Sequence, residues 1–86
     1  MAKTLISVKF PHPKDDYLRL VLRRLDAESP YQPYVTHWHN TEAGGYFWGH
    51  YFTTYEDALT DLLKRCGDIG VSATQVREQV ERGVEQ

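Results

Sequence analysis

Residues 31–52, which read YQPYVTHWHNTEAGGYFWGHYF, decide the fold of this chain. The stretch contains both tryptophans and three of the four histidines. Two runs rich in aromatic and β-branched residues, 34–40 and 45–52, are separated by a loop at residues 41–44 that ends in glycine, a common connection in β-hairpins. A chain of 86 residues cannot bury all of these rings. We therefore expect some of them to face water and to mark a contact surface.

The segment after this hairpin has the strongest helical signal in the chain. Thr53 followed by Glu56 forms a capping box, which satisfies free amide groups at the start of a helix. Apolar residues then recur at helical spacing, at Tyr55, Ala58, Leu59, Leu62, Leu63 and Cys66. Gly67 suits the position just beyond the last turn. The pattern therefore predicts a helix over residues 54–66.

The segment 16–27 fits two structures. As a helix it has one apolar stripe, formed by Tyr17, Leu18, Val21, Leu22 and Leu25. As a strand it has a leucine face, formed by Leu18, Leu20 and Leu22, and an arginine face, formed by Arg19 and Arg23. Leucine and arginine favour helices, and five apolar positions fit better than three. We therefore expect a helix over 16–27 and keep a fourth strand over 17–25 as the alternative.

Together these elements predict a single α+β domain over residues 1–86. Residues 4–10 alternate like a strand that ends at Pro11. The expected fold is a three-stranded antiparallel sheet (4–10, 34–40 and 45–52) packed on helices 16–27 and 54–66. A short C-terminal helix over 73–82 follows, which begins with a capping box at Ser72 and a hydrophobic staple between Val71 and Val76. Helices on one face of such a sheet leave the other face in contact with water.

Composition narrows the class of protein. The chain is 41% hydrophobic and 26% charged, as in ordinary globular domains. Its first residues read as a strand and not as an apolar signal region, and no apolar run is long enough to cross a bilayer. Cys66, the single cysteine, has no partner for an intramolecular disulfide and lies on the apolar stripe of the predicted helix. We therefore expect a cytoplasmic protein without a membrane segment.

Charge is distributed unevenly along the chain. Residues 1–25 carry six basic and two acidic residues, a formal charge of +4, and the remainder carries four basic and ten acidic residues, a charge of −6. The sequence pI is about 6, and residues 31–52 contain no lysine or arginine, whereas nucleic-acid binders normally carry a basic stripe. The charge pattern is therefore not typical of a nucleic-acid-binding protein. Single-stranded nucleic acid remains an alternative only if the basic segment 14–24, with Arg19, Arg23 and Arg24, lies beside the aromatic face.

The histidines suggest a metal- or ligand-binding site. His37 and His39 project to one face of strand 34–40. If the loop is 41–44, Asn40 pairs with Gly45, and the same face also carries Tyr46, Trp48 and His50. His37, His39 and His50 then form a candidate metal site. A loop longer by one residue moves His50 to the other face, and His-x-His on a strand is a weak signal.

No catalytic constellation is visible, so we expect neither an enzyme nor a cofactor. The serines lack a nucleophile-elbow context, and the Gly44-Gly45 pair is a turn and not a phosphate loop. The favoured hypothesis is a small protein-binding module that docks its hairpin rings, Tyr34, Trp38, Tyr46, Trp48 and Tyr51, on a partner protein or on a second copy. One specific version is a phage or mobile-element protein that inhibits a host complex by occupying its surface.

Overall fold

The fold is an antiparallel sheet with a helix packed on one face, and a computed structural model describes residues 2–11, 14, 17–25, 29–72, 74 and 76. Within these residues the chain forms β1 Lys3–Lys9, β2 Leu18–Arg24, β3 Tyr34–Asn40, β4 Tyr46–Phe52 and α1 Tyr55–Asp68. The strands lie side by side in chain order, and all neighbouring pairs are antiparallel. The predicted α+β class is confirmed. The predicted strand count is wrong, since the described sheet has four strands and not three.

The additional strand is β2, which replaces most of the helix predicted over 16–27. Leu20 and Leu22 are fully buried under α1, and Arg19 and Arg23 lie on the opposite face, as in the alternative interpretation. β2 is hydrogen-bonded to β1 on one side and to β3 on the other. Pairing on both sides outweighs the intrinsic helix preference of leucine and arginine.

The core lies between α1 and the face of the sheet that it covers, here called the inner face. Its buried members from the strands are Ile6, Val8, Leu20 and Leu22, and those from the helix are Ala58, Leu62 and Cys66. Val71 and Val76, beyond α1, are buried in the same cluster. The amide of Val76 donates to the carbonyl of Ser72, but most of the predicted helix 73–82 lies outside the described residues.

Both ends of α1 differ slightly from the prediction over 54–66. The N-cap is Thr54 and not Thr53, because the Thr54 hydroxyl accepts the amide of Asp57 at 3.2 Å. Two adjacent threonines leave the capping signal ambiguous by one residue. At the other end, the helix continues through Gly67, and the left-handed residue is Gly70 (φ 85°).

The end of α1 is a Schellman motif that ties the helix to the core. The Val71 amide donates to the Cys66 carbonyl at 2.8 Å, and the Gly70 amide donates to the Gly67 carbonyl at 3.1 Å. Val71 is buried beside Cys66 in the core cluster. The turn therefore satisfies helix carbonyls and directs the following segment back onto the sheet.

The face of the sheet that α1 leaves uncovered is here called the open face. Cross-strand pairing assigns to it Thr4, Ser7, Lys9, Arg19, Val21, Arg23, Val35, His37, His39, Tyr46 and Tyr51. Among the residues that the structure describes, no helix is long and apolar enough to cross a membrane.

Candidate binding surface

The second strand of the hairpin contains a β-bulge. The loop is residues 41–44, as predicted, and the Asn40 amide donates to the Gly45 carbonyl at 2.9 Å. Trp38 pairs with Phe47 and Thr36 pairs with His50, so Trp48 and Gly49 together oppose the single residue between Thr36 and Trp38. An extra residue in one strand exchanges the faces of everything that follows it. Glycine inside a strand is a known sequence signal for a bulge.

The bulge separates the histidines of the candidate metal site. His37 and His39 lie on the open face, as predicted, but His50 pairs with Thr36 and lies on the helix side. There its Nδ1 is 3.0 Å from Oδ2 of Asp61. The three imidazoles are therefore not brought together. Within the described part of the chain, no group of three or more His, Cys, Asp or Glu side chains is arranged to hold a metal ion.

The five aromatic residues predicted to bind a partner fall into two groups. Tyr34 and Trp38 lie on the inner face and pack against the core cluster. The remaining three, Tyr46, Trp48 and Tyr51, are exposed. They are joined by Phe47, whose ring meets that of Trp48 edge-on at 5.3 Å between centroids. We call these four exposed rings, Tyr46, Phe47, Trp48 and Tyr51, the β4 aromatic surface. Tyr46 and Tyr51 are on the open face, whereas Phe47 pairs with Trp38 at the edge of the inner face.

Trp48 is the most unusual residue of this surface. Its side chain is 74% exposed. Its backbone φ is +55°, and it is the single non-glycine residue with positive φ among those described. That conformation costs roughly 1–2 kcal/mol for a residue with a Cβ atom. The chain thus holds an indole ring largely in water on strained backbone.

Side chains from α1 hold the bulge in place. Arg65 donates from Nη2 to the Trp48 carbonyl at 2.8 Å and from Nη1 to the carbonyl and hydroxyl of Thr36 at 3.0 and 3.1 Å. The buried Thr36 hydroxyl donates in turn to Asp61, which also contacts His50. Both strands at the bulge are therefore attached to the helix. The sequence patterns did not predict this role of Arg65, because none of them pairs a helix residue with a distant strand.

The open face carries a small layer of stacked side chains. The Tyr46 ring stacks with those of His37 and His39, at 4.5 and 4.3 Å between centroids. The Arg23 guanidinium lies 4.1 Å from the centre of the Tyr46 ring, a cation–π distance. His37 is only 6% exposed as a result. The open face is thus partly covered by its own side chains.

His37 is a neutral imidazole in this layer. Burial lowers its pKa to about 4, and the positive charges of Arg23, His39 and Arg65 act in the same direction. Its Nε2 atom is buried without a hydrogen-bond partner among the described residues, as is Nε of Arg23. In this layer the rings are closely stacked, but the two buried nitrogens lack hydrogen bonds.

Gly49 allows Tyr51 to pack across the bulge. A Cβ atom at Gly49 would lie 3.3 Å from both Cε1 of Tyr51 and Cγ2 of Val35. Val35 is fully buried even though it belongs to the open face. The Tyr51 ring therefore covers Val35 and still keeps half of its surface in water.

The basic residues of β2 lie beside these rings. Arg19 pairs with His39, which pairs with Tyr46, and Lys9 pairs with Arg19 at the other end of the same row. No open-face position that the structure describes is Asp or Glu. Arg24 is on the inner face, with its guanidinium 5.7 Å from the Tyr34 ring. The face is therefore both basic and aromatic.

Cys66 has no place in this surface. Its side chain is fully buried in the core, and burial raises the pKa of the thiol to about 11 despite the opposing effect of Arg65. A protonated, inaccessible thiol is a packing residue, as the sequence indicates.

Comparison with known protein families, with curated proteins and with solved structures finds no match to this chain.

Proposed function

We propose that this chain is a non-catalytic protein-binding module that contacts its partner through the β4 aromatic surface. The contact set is narrower than the sequence suggests, because Tyr34 and Trp38 belong to the inner face. The observation that carries the proposal is Trp48, an exposed indole on strained backbone.

The energetics of Trp48 support a contact role. An exposed ring contributes little to the hydrophobic stabilisation of the fold, and positive φ opposes folding. Arg65 nevertheless anchors the Trp48 carbonyl and so keeps the bulge in one conformation. A backbone already held in one conformation loses little further entropy on binding, and tryptophan is among the commonest residues at the energetic centre of protein interfaces.

The geometry of β4 favours contact through side chains. β4 is an edge strand, and a regular edge invites another strand to pair with it. The bulge at Trp48 and Gly49 interrupts the regular row of backbone groups at the middle of this edge. We therefore expect the partner to pack against the rings and not to extend the sheet.

Affinity capture from host extract with matched variants tests the proposal. Trp48→Ser removes the central ring, and Tyr31→Ser removes a ring that is 89% exposed but lies in the β2–β3 connection, outside the surface. We expect proteins captured by the wild type and by Tyr31→Ser to be lost with Trp48→Ser. Circular dichroism should show the same fold for all three proteins.

Capture that is unchanged in Trp48→Ser, with the fold intact, would refute the proposal. Light scattering at several concentrations separates the two kinds of partner. A dimer that Trp48→Ser dissolves identifies a second copy, and a monomer directs the search to a foreign protein.

A second candidate is single-stranded nucleic acid, favoured by the row that joins Lys9 and Arg19 to His39 and Tyr46. Basic side chains beside stacking rings are the usual composition of such sites. It predicts binding of oligo(dT) that weakens steeply with salt. Binding that does not depend on salt, or no binding at all, would exclude single-stranded nucleic acid as the partner.

A further inference from the structure

We propose that the partner at the β4 aromatic surface is a second copy of this chain, docked about a two-fold axis that passes close to Trp48. This inference rests on the proposed function and names the partner. Two copies then meet edge to edge, and each packs its exposed rings against the same rings of the other.

The lack of charge along β4 carries this inference. Residues 43–55, which include all of β4, contain no lysine, arginine, aspartate or glutamate, although 26% of the whole chain is charged. A two-fold interface places a surface against an identical copy of itself, so a charge near the axis meets its own like charge. A surface without charges avoids this repulsion. It also offers no charge pattern by which a foreign protein would be selected.

The exposed rings lie around the edge strand and not on one face of the sheet. Tyr46 and Tyr51 are on the open face, whereas Phe47 lies opposite Trp38 at the edge of the inner face. A partner that covers one face alone would leave part of this surface in water. A second copy that approaches the edge contacts rings on both sides of it, and it does so without pairing strands across the bulge.

The position of the axis follows from the position of the bulge. Trp48 and Gly49 lie at the middle of β4, which runs from Tyr46 to Phe52. An axis through the middle of the strand gives the largest overlap between two copies, and residues at the middle then lie beside their own counterparts. Trp48 is the most exposed of the four rings. We therefore expect it to meet its counterpart at the centre of the interface, where the energetically dominant residues cluster.

The charged side chains that contact β4 do not oppose this arrangement. Arg65 is bonded to the backbone of the bulge, and Asp61 is paired with His50, so both are engaged within one copy. Arg23 contacts the ring of Tyr46, the first residue of β4, which is about 10 Å along the strand from its middle. The two copies of Arg23 would thus be roughly 20 Å apart, well beyond the screening length of about 8 Å at physiological salt.

The exposed area is that of a weak, reversible dimer. The four rings are between 37% and 74% exposed, and a whole aromatic side chain presents roughly 200 Å², so together they offer roughly 400 Å² per copy. A standard interface uses about 800 Å² per partner. The flanking residues Gly44, Gly45, Thr53 and Thr54 are also exposed and add to this area. We expect a dissociation constant on the order of 10 µM.

Light scattering of the purified chain, over concentrations from about 1 µM to about 500 µM that bracket the expected constant, tests this inference. Trp48→Asp and Trp48→Lys make the test specific to a two-fold contact. Each variant alone places like charges together when identical copies meet, whereas a mixture of the two places opposite charges together.

Tyr31→Asp is the matched control for these variants, because the Tyr31 ring is 89% exposed but lies in the β2–β3 connection, outside the surface. Circular dichroism of each variant verifies that the fold is retained. Phe47→Asp, at a residue without positive φ, provides the same charge test should a Trp48 variant fail to fold.

We expect the wild type to pass from monomer to dimer, with a plateau at two copies. Each Trp48 charge variant should weaken the dimer at least about tenfold, the equimolar mixture should restore it, and Tyr31→Asp should change it less than about twofold. A monomer at every concentration would overturn the inference. A mass that grows without a plateau would also overturn it, since that indicates head-to-tail assembly. A dimer that survives Trp48→Asp, or a mixture that stays monomeric, would refute the two-fold contact.

The outcomes also separate this inference from the proposed function. A monomer that still captures proteins from extract through Trp48 leaves the protein-binding module intact and makes its partner foreign. Absence of both self-association and Trp48-dependent capture refutes both proposals. A dimer that Trp48→Asp dissociates and the mixture restores supports both, because self-association is then the binding function of the surface.

Discussion

The two faces of the sheet bury side chains by different means. The inner face is covered by α1 and packs aliphatic residues such as Leu20, Leu22 and Leu62. The open face has no helix over it in the described structure, yet Val35 and His37 are buried there by the neighbouring rings of Tyr51 and Tyr46. The inner face is a core that no partner needs to complete. The open face is a shallow layer whose covering rings are themselves exposed, which makes it suitable for contact.

The largest effect should come from the residue that connects α1 to the bulge. Arg65→Met keeps the length of the side chain and removes its hydrogen bonds to Thr36 and Trp48. Because the Thr36 groups are buried, we expect the free energy of unfolding to fall by about 3 kcal/mol. Urea unfolding measures this, with Lys64→Met on the exposed side of the same helix as the control. A loss below about 0.5 kcal/mol would show that the bulge does not depend on the helix.

Acid should weaken the open face before it affects the inner face. The unfolded chain protonates a histidine near pH 6.5, whereas folded His37 has a pKa of about 4. The stabilisation from this residue is therefore complete above pH 6.5 and is lost as the pH falls toward 4. We expect a loss of about 2 kcal/mol over that range, measured by urea unfolding at successive pH values.

His37→Leu is the control for the acid effect. It should remove that part of the pH dependence and preserve stability at pH 7, because it replaces a buried nitrogen without a partner by an apolar group. An unchanged pH profile in His37→Leu would assign the acid sensitivity to other groups.

A matched pair of valines compares the two layers directly. Val8 lies on the inner face and Val35 on the open face, and both are fully buried. We expect Val8→Ala to cost about 2 kcal/mol and Val35→Ala about 1 kcal/mol, since the cost depends on how far the surroundings can collapse and Tyr51 is free to settle on its water-exposed side. Thermal unfolding of both variants measures the difference. Equal losses would mean that the open face is packed as rigidly as the core.

The smallest effect on stability should come from the ring with the largest proposed role in binding. Trp48→Asn keeps a residue that tolerates positive φ and removes the indole. We expect the free energy of unfolding to stay within about 0.5 kcal/mol of the wild type, because the ring is mostly in water. Urea unfolding of the variant and of the wild type measures this difference in free energy. A loss above about 1.5 kcal/mol would make Trp48 a structural residue and weaken the argument for a contact surface.

The face of each β3 side chain follows from the sequence, whereas that of each β4 side chain does not. The alternation of β3 placed His37 and His39 on one face correctly, because a regular strand has a fixed period of two. The prediction for His50 was wrong because the bulge at Trp48 and Gly49 changed the faces beyond it. Of the predicted contact rings, Tyr46, Trp48 and Tyr51 are exposed, whereas Tyr34 and Trp38 pack on the core and the exposed Phe47 was not predicted.

The sequence by itself determined the elements that depend on neighbouring residues. These are the loop at 41–44, the helix that became Tyr55–Asp68, and the buried position of Cys66, and all of them follow from short-range hydrogen bonding and periodic spacing. Only the tertiary structure decided the state of Leu18–Arg24, where strands on both sides overcame local helix preference. It also decided the placement of Trp48, because the guanidinium that fixes the bulge comes from Arg65, distant in the chain. Contacts between distant residues leave no periodic trace in the sequence.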